Sequence, residues 1–101
     1  MLAVAERIRH RAPQVAVQCA YLELTPPSLS QAVLALAALG VQRVRVVPMF
    51  LGVGKHARED LPQLLATLRS THPTLAIDCQ PPIGEQAAVM DLLADIALRE
   101  I

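Results

Sequence analysis

The sequence has no tryptophan, and its only aromatics are Tyr21 and Phe50. Platforms on which unpaired bases could stack are therefore missing. It also lacks an excess of either charge, because nine basic residues are matched by nine acidic ones. No long-range field gathers polyanions or an anionic bilayer, which argues against nucleic acid and membrane surfaces as partners. The apolar stretches are short and interrupted, too short to span a bilayer. Charge begins at Glu6, so the first residues contain no apolar signal core. Cysteine is scarce: Cys19 and Cys79 lie far apart, each in an apolar run. No CxxC or HxxxH spacing supports a structural zinc site. Buried free thiols in a reduced, cytoplasmic protein are the simplest reading.

What is present is aliphatic. Hydrophobic residues make up 53% of 101 positions, enough for one domain, residues 1–101, with a core of Leu, Val, Ile and Ala. Helical and extended patterns alternate. Residues 2–11 form a helix with Leu2, Ala5 and Ile8 on one side. Over 14–22, Val15, Val17, Cys19 and Tyr21 recur at period two, which predicts a mostly buried strand. Thr25 is a candidate N-cap with Pro26 at the first helical position. Leu29, Ala32, Val33, Leu36 and Ala37 then trace a helix that Gly40 closes in the left-handed region. A valine-rich strand runs from Arg43 to Met49. Asp60 and Gln63 suit a capping box for the next helix, and Leu61, Leu64, Leu65 and Leu68 form its stripe. His72-Pro73 ends that helix. Residues 74–79 make a further strand, Pro81, Pro82 and Gly84 a turn, and Val89, Leu92, Leu93, Ile96 and Ala97 the stripe of a last helix.

This alternation predicts an α/β fold: a small parallel sheet flanked by helices in three layers. Right-handed crossovers place every strand's carboxyl end on one edge, where ligands bind in such sheets. Glu23 follows the first of these strands and His56 the second, so both belong to the same rim. The loop PMFLGVGKHAREDLP, residues 48–62, concentrates the polar chemistry there. Gly52 and Gly54 allow its backbone to approach a ligand. Imidazole at His56 binds first-row metals and accepts protons near neutral pH. Glu23 can complete a coordination sphere or relay protons. Lys55 and Arg58 can pair with ligand carboxylates. Each also has a plainer reading: a solvated loop histidine, a carboxylate favouring a helix start, solvated cations. His10 and His72 fall in a charged helix face and a turn, and Ser28 lacks a base partner for acyl transfer.

The same loop resembles a motif of the small class II tetrapyrrole chelatases, the sirohydrochlorin cobaltochelatase and ferrochelatase family. The matching positions are Pro48, Phe50, Leu51, Gly54, His56, Asp60 and Pro62. AYLELTPPSL, residues 20–29, is similar to the family's segment with a glutamate after a strand and a Pro-Ser-Leu helix start. PPIGEQAAVMDLL is similar to its final turn and helix. The resemblance implies ATP-independent insertion of a divalent metal into sirohydrochlorin, in cobalamin or siroheme biosynthesis. It implies that His56 binds the metal or takes pyrrole protons, and that Glu23 is the metal-associated carboxylate. Phe50, Gly54, Lys55 and Arg58 are then substrate contacts, the last two assigned by their nearness to His56. No resident cofactor is implied, since the divalent metal (cobalt, iron or nickel) is itself a substrate. A homodimer is expected. The family's first strand ends in His-Gly-Ser, which this sequence lacks, so the chain is read as N-terminally short. In the family's sheet that strand lies between the strand at 14–22 and the one at 43–49. The alternative reading is a paralogue that binds metal or tetrapyrrole without catalysis, its site incomplete.

Overall fold

Parallel pairing of two valine- and isoleucine-containing strands organises the molecule. The structure, a computed structural model, describes residues 2–22, 25–50 and 55–99, the side chains of 55–58 excepted. In chain order the elements are α1 (Leu2–Arg11), α2 (Leu29–Ala38), β1 (Arg43–Val46), α3 (Lys55–Thr71), β2 (Ala76–Cys79), a 3₁₀ turn (Ile83–Glu85) and α4 (Ala87–Leu98). β1 and β2 form a parallel sheet in which Val44 faces Ile77 and Arg45 faces Asp78. The fold is α/β, as the alternation of patterns implies.

The core sits on one face of that sheet. Val44 and Ile77 are register partners, and with Val33 of α2 and Leu65 and Leu68 of α3 they form the buried cluster. The opposite face carries Arg43, Arg45, Ala76 and Asp78, all exposed. Arg45 Nε lies 3.5 Å from Asp78 Oδ1 with both side chains more than half exposed. A pair so wet contributes about 0–1 kcal/mol.

The helix ends follow local capping chemistry. α2 begins at Leu29 because Ser28 Oγ accepts from the Gln31 N–H at 3.1 Å and the Gln31 side chain accepts from the Ser28 N–H at 2.8 Å. This reciprocal box satisfies two orphan donors and displaces Thr25 from the expected cap. Ser28→Ala should therefore destabilise the protein by about 1 kcal/mol, measurable by denaturant titration, whereas Thr25→Ala should not. Gly40 has φ +84 and its N–H reaches Ala37 O at 3.0 Å, the left-handed termination expected from the sequence.

Three further expectations are corrected. α3 starts at Lys55, not near Asp60, so Asp60 and Pro62 lie inside the helix and the Asp60–Gln63 box does not form. Lys55 to Glu59 include good helix formers, and their propensity carries the helix through Pro62 at the loss of one N–H. Residues 14–22 are not a sheet strand. Their one ladder contact is an isolated parallel bridge between Tyr21 and Ser28. Alternating side chains favour extended backbone, but a strand also needs a hydrogen-bonded neighbouring strand; Val15 N–H donates only to Ala12 O in a turn, and no described backbone group bonds to that of residues 16–20. The strands at 43 and 76 are correspondingly shorter than expected, ending at Val46 and beginning at Ala76.

α4 has the expected apolar stripe, but none of its residues is buried. Among the described elements it packs mainly against the 3₁₀ turn. No described helix is long and apolar enough to cross a membrane.

Candidate functional site

The carboxyl ends of the extended segments converge on one rim. After β1 the chain continues through 47–50, held by the 3₁₀ turn. Pro48 O accepts from the Ile83 N–H at 2.9 Å, and Phe50 O accepts from the Gly84 N–H at 2.8 Å. On the other side the Tyr21 N–H donates to Pro27 O at 3.0 Å, fixing the point where the 14–22 segment turns toward α2. Tyr21, Leu22, Pro48, Met49, Phe50 and Ile83 thereby line one end of a groove of about 1,090 Å³.

This described part of the rim is an apolar shelf. Phe50, proposed from sequence as a substrate contact, lies in it, half-buried. Tyr21, Met49 and Ile83 were not singled out by sequence reasoning. Their signal was positional: each stands at or just beyond the end of an extended segment. The polar candidates flank the shelf in sequence. Lys55, His56 and Arg58 belong to the first turns of α3, whose next apolar residue, Leu61, also lines the groove. Their side chains lie outside what the structure describes, as do Glu23, Gly52 and Gly54 entirely. Among the described residues there is no cluster of three metal-ligating side chains. Ser28 Oγ is occupied by its capping bond, in keeping with its exclusion as a nucleophile.

Both cysteines are free and half-buried, rather than fully buried as expected. Burial pushes the Cys79 thiol up from its ordinary value; nearby Arg69 partly offsets this and Asp78 adds to it. Its Sγ also donates to Gln80 O at 3.4 Å. A thiol held protonated is a poor nucleophile. Alkylation of Cys79 at pH 8 should accordingly be slower than that of a free cysteine, a difference that mass spectrometry of timed iodoacetamide reactions measures.

A small parallel sheet with helices packed on it, an α/β arrangement, defines the structural class. The chain belongs to the CbiX family, whose family model matches residues 1–99. It is 28% identical over 97 residues to a sirohydrochlorin cobaltochelatase of Methanosarcina barkeri, covering 89% of this chain and 75% of the relative. A sirohydrochlorin ferrochelatase of Priestia megaterium is 24% identical over 94 residues, covering 93% of this chain and 35% of that protein. The crystal structure of a CbiX protein from Marinobacter aquaeolei VT8 superposes with a TM-score of 0.74 at 29% identity, covering 98% of this chain and 81% of that one.

Proposed function

We propose that the chain inserts a divalent metal into sirohydrochlorin. The observation that carries this reading is the family match over residues 1–99, joined to an apolar shelf beside the histidine-bearing start of α3. The reaction exchanges two pyrrole N–H protons for one divalent cation, so a base and a cation-binding group must serve the same macrocycle. In this reading His56 accepts a pyrrole proton or holds the incoming metal, and Glu23 supplies a carboxylate to the metal. Phe50 and its apolar neighbours receive the flat macrocycle. Lys55 and Arg58 pair with its peripheral carboxylates, and Gly54 lets the loop approach it. The positive end of the α3 dipole favours the same anionic groups. The energy comes from metal–nitrogen bond formation, so ATP is not needed.

The test is direct. Purified chain, anaerobic sirohydrochlorin and Co²⁺ or Fe²⁺ are combined, and the macrocycle's visible spectrum is followed against a protein-free control. Multiple turnovers above the control support the proposal. Stoichiometric binding of Co²⁺ or sirohydrochlorin without turnover replaces it with a carrier role. Neither binding nor turnover overturns both.

A further inference from the structure

Pro81 and Pro82 interrupt the sheet just where it meets the rim. Before them, Ala76 and Gln80 donate their N–H groups to Gln42 O and Val46 O at 3.0 and 2.9 Å. With Val44 facing Ile77 and Val46 facing Cys79, the same spacing makes residue 82 the next donor, to the carbonyl of Pro48. Residue 82 is proline and has no N–H to give. The ladder continues all the same. The Ile83 N–H donates to Pro48 O at 2.9 Å and the Gly84 N–H to Phe50 O at 2.8 Å. The 3₁₀ turn thus supplies from two successive residues the donors that a strand supplies from alternate ones. Ile83 and Phe50 both line the groove, so these bonds set two sides of the apolar shelf against each other.

The turn is held in shape from behind. The Glu85 N–H donates to Pro82 O at 2.9 Å, and the Gln86 N–H to Ile83 O at 3.2 Å. The Gln86 side chain closes the turn on the far side, where Nε2 donates to Pro81 O at 2.9 Å. Gln86 occupies the N-cap of α4, yet its side chain caps none of that helix's N–H groups. Glutamine is not among the side chains that favour this position, where Asn, Asp, Ser and Thr lead. The residue therefore suits the turn rather than the helix. α4 buries none of its own residues and packs mainly on this turn, so Gln86 is also where the helix joins the rim.

We infer that Gln86 is a positioning residue for the tetrapyrrole. Its amide holds Pro81 O, the closed turn aims the Ile83 and Gly84 N–H groups at residues 48–50, and the shelf keeps the spacing on which a flat macrocycle rests. The role depends on the chelatase reading for its ligand, while the tie from Gln86 to Phe50 stands on the hydrogen bonds alone. Gln86 itself does not line the groove. It acts on the seating of the macrocycle and not on the metal, whose handling belongs to His56 and Glu23 in the same reading.

Two variants separate the bond from the bulk. Gln86→Glu keeps the size but puts an acceptor where a donor faced Pro81 O. A carboxylate at a helix start is favourable, so its melting temperature should not fall. Gln86→Ala removes both size and donor. Hydrogen exchange is read first, without tetrapyrrole. The Ile83 and Gly84 amides should exchange about five- to tenfold faster in both variants, the effect of one net hydrogen bond, while the Gln80 amide keeps the parent rate. Cobalt insertion is read next. KM for sirohydrochlorin should rise by the same factor, with kcat and the KM for Co²⁺ within about twofold of the parent. Where the parent binds sirohydrochlorin without turnover, Kd takes the place of KM. Parent-like exchange or parent-like KM in Gln86→Glu overturns the inference. A lower melting temperature with unchanged KM in Gln86→Ala overturns it as well, because that is a purely structural role. A parent that neither turns over nor binds sirohydrochlorin overturns the chelatase reading and the ligand with it, and the exchange rates then decide by themselves whether Gln86 governs residues 48–50.

Discussion

His56→Ala lowers the rate of metal insertion by about 10²- to 10⁴-fold, the usual contribution of a positioned general acid or base. The substitution leaves the fold intact, because alanine is the best helix former and position 56 lies in the first turn of α3. Circular dichroism and the melting temperature should match the parent, which separates a chemical loss from a structural one. The pH dependence sharpens the assignment. A group that takes a proton works in its neutral form, so the parent rate should rise with pH and then level off. That inflection should vanish in His56→Ala. If the residual rate of the variant keeps the same inflection, another group is the base. If the two rates are equal, His56 has no part in the reaction.

The sequence made the framework legible for a specific reason. α1, α2 and α4 have apolar spacings that only a helix satisfies, and Gly40 stands where a left-handed residue ends α2. The parallel order of β1 and β2 follows from a helix between two apolar strands. The misread features share a different character. Thr25 and Ser28 both suit a cap, and the choice between them depends on Gln31 lying three residues beyond Ser28. Lys55 to Glu59 read equally well as loop or helix, and α3 takes them in. Residues 14–22 have a strand's alternation, but alternation reports side-chain faces and says nothing of whether a neighbouring strand exists to pair with.

The candidate site divides in the same way. Histidine, glutamate, lysine and arginine are visible as chemical types, and the short loop after a strand gives their place in the topology. The apolar shelf was not visible, because Tyr21, Met49 and Ile83 come from three separate segments. Only the bonds from Ile83 and Gly84 to Pro48 and Phe50 bring the last two segments together. Single-sequence patterns see spacing along the chain, and such cross-chain bonds leave no periodic trace.

Leu68→Ala carries the largest expected effect on stability. Leu68 is 3% exposed and shares a cluster with Val33, Val44, Leu65 and Ile77, so its side chain helps join α2, α3 and both strands. Truncation removes buried methyl groups and leaves a cavity that strands on one side and helices on the other cannot both close; such changes cost about 2–5 kcal/mol. A domain of this size commonly has ~5–15 kcal/mol in all. With about 4–8 °C lost per kcal/mol, the melting temperature should fall by roughly 8–40 °C. Leu92→Ala provides the contrast. Leu92 is equally apolar but 52% exposed on α4, so its truncation should change stability by no more than about 0.5 kcal/mol. Thermal melts of the two variants followed at 222 nm decide between them. Similar shifts for both would mean that α4 is packed in solution as tightly as α3, and that the core extends beyond the cluster on the α2–α3 face of the sheet.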